Sequence, residues 1–234
     1  MKIRYIAKVT VRCFQTVANI RSLSNGVAGV FYDWDGTLIK FRGEQFLKSM
    51  NAALSMFGYP EMSSLVGSKS IRDTLKTEEA LDAFRHHFST HPLSINDLMP
   101  GALELIKTVN SWGLPQGIVS NLDHKVLIRE IGTLGLSEYF SVVIGSRNDQ
   151  HLKPNPAMLF EALSAAGIIP SSSILYVGDS PGDIIAAKAA SCASVFVGNL
   201  LPEITPDFTV PHLYEIGSII TGALTTNGDL NDII

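Results

Sequence analysis

Three short apolar runs in this chain each end in polar side chains, and helical patterns lie between them. The runs occupy residues 27–32, 116–119 and 174–177, and the polar residues that come after them include Asp33, Ser120 and Asp179. Strands that alternate with helices favour a parallel sheet, and the carboxyl ends of parallel strands line one crevice. The sequence therefore predicts an α/β fold that gathers these polar residues at one edge of the sheet.

The first of these strand ends carries two carboxylates one residue apart. Asp33 and Asp35 flank Trp34 and are followed by Gly36 and Thr37. Two carboxylates this close repel each other and lose hydration unless a cation lies beside them. The spacing therefore favours a hard divalent cation such as Mg²⁺. The alternative is a solvated turn, because Asp, Gly and Thr are ordinary turn residues.

The third run leads into a predicted helix start, which explains only one of two nearby acids. Ser180 suits the N-cap, Pro181 the first helical position, and Asp183 completes a capping box with Ser180. Asp179 has no such explanation, and an unpaired carboxylate at the end of a buried strand costs on the order of several kcal/mol.

Two further stretches carry polar groups beside predicted helix starts. Lys153 and Pro154 are predicted to open one helix, and Asn121 or Asp123 to cap the helix after the second apolar run. The alternatives are a solvated surface lysine and ordinary helix caps.

Together these stretches resemble the four motifs of the haloacid dehalogenase-like superfamily, in its phosphoglycolate phosphatase-like branch, over residues 27–198. The family's motifs are D-x-D-G-T, a Ser or Thr at a strand end, a Lys, and G-D-x-x-x-D. The residues that fill them are Asp33, Asp35, Ser120, Lys153, Asp179 and Asp183. The family often ends the helix of the fourth motif with glycine, and this chain departs from that pattern with Ser191 at the end of the helix.

The resemblance implies roles for the first and fourth motifs. Asp33 would be the nucleophile that forms an aspartyl-phosphate, and Asp35 the general acid and base. Mg²⁺ would be held by the Asp33 side chain, the Asp35 backbone carbonyl and the Asp179 side chain. Asp183 would orient Lys153 or a metal-bound water.

The resemblance also implies a set of groups that bind the phosphoryl oxygens. These are the Ser120 hydroxyl, the Asn121 amide N–H and the Lys153 ammonium. Dehalogenases of the superfamily replace the acid at the Asp35 position, so Asp35 favours a phosphatase or a phosphomutase.

The interval between Leu38 and Met99 is too long for one helix and a loop. It contains helical patterns at 44–57 and 78–88, separated by a break at Gly58-Tyr59-Pro60. We expect a doubly wound, Rossmann-like parallel sheet built from residues 27–40 and 98–234, with an all-helical cap at residues 41–97. Further strands are expected near Gln116, Ser141, Ser173, Ser194 and Asp207.

Within the predicted cap, Lys69 or Arg72 could bind an anionic group of the substrate. The alternative is that both are surface charges at the start of a helix.

Residues 1–26 read as a basic amphipathic extension, with five positive charges before the first acid. Such a segment is typical of an organelle transit peptide or a membrane-surface anchor. The alternatives are a helix packed on the core and residues added by an upstream start codon. A cytoplasmic location is expected, with an organelle matrix as the alternative.

The composition excludes several classes of protein. The net charge of −4 gives no basic footprint for nucleic acid. The two cysteines, Cys13 and Cys192, lie far apart without metal-ligand spacing, so a disulfide framework or zinc site is not expected and a reducing compartment fits. Apolar runs are too short to cross a bilayer, which needs about 20 residues.

These observations predict a Mg²⁺-dependent phosphatase that acts on a small phosphate ester such as phosphoglycolate or a sugar phosphate. One alternative is a phosphomutase of the β-phosphoglucomutase type, which would use the same motifs. Another is a non-catalytic, phosphate-binding regulatory protein, although no motif acid or lysine is missing. The oligomeric state is left open.

Overall fold

The computed structural model describes residues 26–64, 71–147, 151–199 and 204–222. The predicted N-terminal extension, apart from its last residue, lies outside these ranges, as do Lys69 and the side chain of Arg72. The predictions for these residues, and the predicted location in the cell, therefore stay predictions. Within the described ranges, no helix combines the length and the apolar character that a membrane span requires.

The described residues form one parallel sheet of six strands in the order β3-β2-β1-β4-β5-β6. The strands are β1 (Gly29–Tyr32), β2 (Gln116–Asp123), β3 (Val142–Ser146), β4 (Ile174–Gly178), β5 (Ala193–Val197) and β6 (Phe208–Val210). The chain winds outwards from β1 in both directions, so the order reverses beside β1, where such sheets bind ligands. The predicted doubly wound α/β sheet is confirmed.

Helices flank this sheet and fill the interval after β1. They are α1 (Gly43–Met56), α2 (Ile71–Leu75), α3 (Glu78–Phe88), α4 (Ala102–Ser111), α5 (His124–Thr133), α6 (Ala157–Ala165), α7 (Pro181–Ala189) and α8 (Ile216–Ile220). Alternate residues of β1 enter different apolar clusters: Val30 and Tyr32 lie in one and Phe31 in the other. Side chains of a strand alternate between its two faces, so the sheet is covered on both sides.

One helix start differs from its prediction. The sequence predicted that Lys153 and Pro154 open a helix, but α6 begins at Ala157. The reason is local, because the Asn155 side chain accepts a hydrogen bond from the Ala157 N–H at 2.9 Å and so forms a turn before the helix. Lys153 consequently lies in a loop between β3 and α6.

The interval between β1 and α4 is a helical insertion, the name used below for residues 41–97. The chain enters and leaves it side by side, since Ile39 and Leu98 form an antiparallel bridge and the Lys40 N–H donates to the Asp97 carbonyl at 2.9 Å. Within it, α1 and α3 pack through aromatic rings, with the centroids of Phe46 and Phe84 5.2 Å apart. Its boundaries and its role as a movable cap stay predictions.

The two ends of α7 show how local sequence sets a helix. At its start, Ser180 Oγ accepts from the Asp183 N–H at 3.3 Å and Asp183 Oδ2 accepts from the Ser180 N–H at 3.1 Å, which is the predicted capping box. After its end, Ser191 has a φ of 58°, a left-handed conformation that glycine adopts more easily. The helix therefore ends in that conformation although a serine occupies the position.

Candidate active site

The ends of β1 and β4 place two carboxylates beside each other. The Asp33 N–H donates to the Val177 carbonyl at 2.8 Å, and the Thr37 hydroxyl donates to Asp179 Oδ1 at 2.9 Å. Gly36 makes this approach possible, because its φ is 87° and a Cβ there would lie 2.3 Å from Asp179 Oδ2. The glycine of the first motif therefore lets the turn lie against the acid of the fourth.

Lys153 reaches these strand ends from the loop before α6. Its Nζ lies 2.6 Å from Asp33 Oδ1 and 2.7 Å from Asp183 Oδ1, and it contacts the Tyr176 hydroxyl at 2.9 Å and the Val119 carbonyl at 3.1 Å. The Tyr176 hydroxyl in turn donates to the Val119 carbonyl at 2.8 Å. Lys153, Asp33, Asp183 and Tyr176 are called the lysine cluster below.

Burial dominates the titration of these groups. Burial raises the pKa of Asp33 to about 7, although the Lys153 charge opposes the rise. Burial also raises the pKa of Asp179 above its usual value. For Lys153, burial lowers the pKa, but the charges of Asp183 and Asp33 outweigh this and hold the pKa well above its usual range. Burial therefore disfavours the charged forms of Asp33 and Asp179, and Lys153 offsets this only in part.

The donor set fits a hard divalent cation. One carboxylate oxygen from each of Asp33, Asp179 and Asp183 lies within 4.8 Å of the other two, and Asp33 and Asp183 are buried. Mg²⁺ prefers oxygen ligands, and a cation among these acids would favour the charged forms that burial disfavours. Asp33 and Asp179 can therefore serve as the side-chain ligands that the sequence predicts for Mg²⁺, with Asp183 beside them.

The second motif lies on the neighbouring strand. Ser120 is buried within β2, two residues beyond Ile118, which pairs with Tyr32 of β1. The sequence predicted that the strand ends before Ser120, but β2 continues to Asp123, with a shift in its register against β3 between Ser120 and Asp123. Asn121 contributes through its side chain: Oδ1 accepts from the Lys153 N–H at 2.8 Å and Nδ2 donates to the Lys153 carbonyl at 3.1 Å. The sequence offered Asn121 as a helix cap or as a backbone donor; Asp123 is the cap of α5, and the contact of the Asn121 side chain with the Lys153 loop was missed.

Asp35, the second acid of the first motif, contacts a different cation. Arg42 Nη2 lies 2.9 Å from Asp35 Oδ1, and the same guanidinium binds Glu130 at 2.7 and 2.9 Å. Glu130 Oε2 also accepts from the Trp34 indole N–H at 2.8 Å. Burial raises the pKa of Asp35 to about 6, against the opposing charge of Arg42. Arg42, Asp35, Glu130 and Trp34 are called the arginine cluster below.

The structure therefore brings Asp33, Lys153, Asp179 and Asp183 into one cluster at the edge of the sheet, with Ser120 and Asn121 on the neighbouring strand. The sequence missed several supporting residues. A tyrosine in a buried apolar strand needs a partner for its hydroxyl, and this signal could have identified Tyr176. Nothing in the sequence indicated Arg42 and Glu130, which lie in different elements.

The chain is similar to known proteins over most of its length. Residues 30–197 match the family described as Haloacid dehalogenase-like hydrolase. The phosphoglycolate phosphatase of Yersinia pestis is 27% identical over 214 residues, which cover 81% of this chain and 91% of the relative.

Solved structures share the fold. A HAD-superfamily hydrolase from Ehrlichia chaffeensis has a TM-score of 0.56 at 27% identity, over 82% of this chain and 95% of that chain. The β-phosphoglucomutase of Clostridium difficile has a TM-score of 0.65 at 18% identity, over 81% of this chain and 93% of that chain. The second likeness shows the fold alone.

Proposed function

The chain belongs to the haloacid dehalogenase-like hydrolase family and is a phosphoric monoester hydrolase, and we propose that it is a Mg²⁺-dependent phosphatase of a small phosphorylated metabolite. Phosphoglycolate or a sugar phosphate is the proposed substrate class. One observation carries the proposal: one oxygen from each of Asp33, Asp179 and Asp183 lies within 4.8 Å of the other two, and the Lys153 ammonium contacts both Asp33 and Asp183. A carboxylate nucleophile, a metal site and a phosphate-binding cation are thus adjacent.

The side chains of Asp33 and Asp179 and the backbone carbonyl of Asp35 would hold Mg²⁺. When bound, the ion supplies positive charge that offsets the charges of the attacking carboxylate and the phosphate. Asp183 would hold Lys153 in place beside this site. Its Oδ2 accepts from the Ser180 hydroxyl at 2.6 Å and its Oδ1 accepts from the Lys153 ammonium at 2.7 Å.

In the first step, an Asp33 oxygen attacks phosphorus and the bond from phosphorus to the ester oxygen breaks. Asp35 gives its proton to the departing alkoxide. In the second step, the Asp35 carboxylate takes a proton from the water that attacks the aspartyl-phosphate, which releases inorganic phosphate and restores Asp33. A pKa of about 6 at Asp35 suits a group that must donate and accept near neutral pH.

Lys153, Ser120 and the Asn121 N–H would bind the phosphoryl oxygens, on which negative charge is spread in the transition state. Lys153 contacts Asp33 in the structure, so its ammonium already lies beside the proposed nucleophile.

The test is hydrolysis of p-nitrophenyl phosphate by the wild type and by Asp33→Asn, with and without Mg²⁺. We expect metal-dependent turnover in the wild type and a loss of about 10⁴-fold or more in Asp33→Asn. Glu104→Gln, which changes an exposed acid on α4, is the matched control and should keep full activity. A folded wild type without turnover across a panel of phosphate esters would favour the regulatory, phosphate-binding alternative.

Metal binding has a readout that does not depend on turnover. Mg²⁺ should raise the melting temperature of the wild type, because a ligand that binds only the folded state stabilises it. The increase should be smaller in Asp179→Asn, which removes one proposed ligand.

The phosphomutase alternative would retain the phosphoryl group and return it to a reoriented sugar. Release of inorganic phosphate from a sugar monophosphate favours the phosphatase, whereas formation of an isomer without release favours the mutase.

A further inference from the structure

The arginine cluster joins three parts of the molecule. Trp34 and Asp35 belong to the turn after β1, Arg42 immediately precedes α1 of the helical insertion, and Glu130 lies on α5 of the core. The Arg42 and Glu130 side chains expose 11% and 10% of their surfaces. A buried ion pair costs desolvation, so its value lies in the geometry that it imposes.

Contacts on several sides fix the Arg42 guanidinium. Glu130 binds it with both carboxylate oxygens, and Phe88 lies against it with 4.8 Å between the guanidinium carbon and the ring centroid. The Trp34 indole holds the Glu130 oxygen that accepts from Arg42 Nη2, and that same nitrogen contacts Asp35. Because the guanidinium is planar, Glu130 fixes its orientation and thereby fixes where Arg42 Nη2 contacts Asp35.

We propose that Arg42, held by Glu130 and Trp34, is a positioning residue that sets where the Asp35 carboxyl group lies when the leaving group departs. The inference rests on the proposed function, in which Asp35 protonates the leaving alkoxide. It goes beyond that function because it assigns a catalytic contribution to three residues outside the motif acids.

Two esters with different leaving groups can distinguish a role of Arg42 in positioning Asp35 from a purely structural role. An alkoxide is a poor leaving group and needs a proton from Asp35, whereas p-nitrophenolate departs readily without one. The ratio kcat/KM reports steps up to the first irreversible one, which here is formation of the aspartyl-phosphate. A displaced Asp35 should therefore lower kcat/KM for an alkyl phosphate and leave that for the aryl phosphate nearly unchanged.

The experiment measures kcat/KM of Arg42→Lys with p-nitrophenyl phosphate and with an alkyl phosphate that the wild type hydrolyses, 2-phosphoglycolate being tried first. Lysine keeps the charge but loses the fork. We expect a fall of about 10- to 100-fold with the alkyl ester and less than about threefold with the aryl ester, since general acid catalysis contributes about 10²–10⁴-fold. In an Asp35→Asn background, Arg42→Lys should produce no further selective loss.

Arg85→Lys is the matched control. Arg85 also joins the helical insertion to α5, through Asp123, but it does not contact Asp35 in the structure, so its replacement should affect the two esters equally. Trp34→Phe should show the Arg42 pattern more weakly. If Arg42→Lys folds poorly, the same two kcat/KM values are measured on the double variant Arg42→Gln with Glu130→Gln, which removes both charges together.

Equal losses with the two esters in Arg42→Lys, or no loss with either, would overturn the inference while leaving the proposed function intact. A wild type without metal-dependent hydrolysis of either ester would instead overturn the proposed function, and the inference with it.

Discussion

The lysine cluster and the arginine cluster are built alike in outline, but they differ in whether their charged groups remain available to a ligand. Each places one cation between two carboxylates, with side-chain exposures of 5% for Lys153 and 11% for Arg42. The compact ammonium contacts one oxygen each of Asp33 and Asp183, and Asp179 lies nearby, so three carboxyl groups share one cation. The guanidinium fork instead binds both oxygens of Glu130. The difference suits a ligand site in the first case and a rigid support in the second.

The largest expected effect follows from removal of the cation of the lysine cluster. Lys153→Met should lower kcat about 10²–10³-fold, because the variant lacks a proposed donor to the phosphoryl oxygens. It should also reduce the free energy of unfolding by about 3–5 kcal/mol, since Asp33 and Asp183 lose their buried partner. Steady-state kinetics and urea unfolding without metal measure the two effects.

Lys188→Met is the control for this variant, because Lys188 is exposed on α7, the helix that carries Asp183. It should change neither kcat nor the free energy of unfolding appreciably. If Lys153→Met unfolds like the wild type, the buried charges are compensated by other groups, and the contrast between the clusters is wrong.

A third buried ion pair sharpens the comparison, because it joins the helical insertion to α5 without contacting a motif acid. Arg85 Nε lies 3.0 Å from Asp123 Oδ1 and Arg85 Nη2 lies 2.8 Å from Asp123 Oδ2. Arg85→Met should lower the free energy of unfolding by about 3 kcal/mol, since the buried Asp123 loses a charged partner. Urea unfolding measures this loss.

The double variant Arg85→Met with Asp123→Asn should recover part of that stability, because asparagine keeps the N-cap of α5 without the buried charge. An equal or greater loss in the double variant would mean that the cap, and not the ion pair, provides the stability.

The two clusters also differ in how far the sequence could predict them. Asp33 and Asp179 follow apolar runs, and parallel strands bring such ends together, so the pattern of strand ends predicted that they meet. The pattern gave Asp183 only a capping role, and the family resemblance placed it beside Lys153. Arg42 and Glu130 are separated by 88 positions and belong to no motif. Their contact depends on how the helical insertion lies on α5, which side-chain packing decides and local sequence does not encode.

The start of α6 shows the same limit on a smaller scale. The sequence placed it at Lys153, but a side-chain turn at Asn155 delays it to Ala157 and leaves Lys153 in the loop. Such turns compete with helix formation over a few residues, and a periodic apolar pattern does not reveal which of them prevails.

The pH dependence of stability should report the cost of ionising the buried Asp33 in the lysine cluster. The pKa of Asp33 is 3.8 ordinarily and about 7 in the fold, so between these values the folded protein retains a proton that the unfolded chain releases. Stability without metal should therefore fall as the pH rises from about 4 to about 7, at about 1 kcal/mol per pH unit in the middle of this window.

This pH dependence is measured best as the difference in free energy of unfolding between a variant and the wild type. The free energy of unfolding of Asp33→Asn relative to wild type should increase between about pH 5 and about pH 6.5, by about 1–2 kcal/mol. Mg²⁺ should flatten the difference, because the ion favours the charged carboxylate. A difference that stays constant without metal would show that Lys153 compensates Asp33 fully.

The smallest expected effect lies at the far end of α7, where a change in stability should leave both clusters unaltered. Ser191 has a φ of 58° and is exposed, so glycine would relieve backbone strain without removing a buried contact. Ser191→Gly should raise the free energy of unfolding by about 0.5–1 kcal/mol, the relief being partly offset by the greater freedom of glycine in the unfolded chain. Urea unfolding measures the gain, and Ser191→Ala, which keeps a Cβ, should not reproduce it. Because Asp183 is held at the opposite end of the helix, kcat should stay unchanged in Ser191→Gly. A fall in kcat would show that the position of Asp183 depends on the whole helix and not on its N-terminal capping box alone.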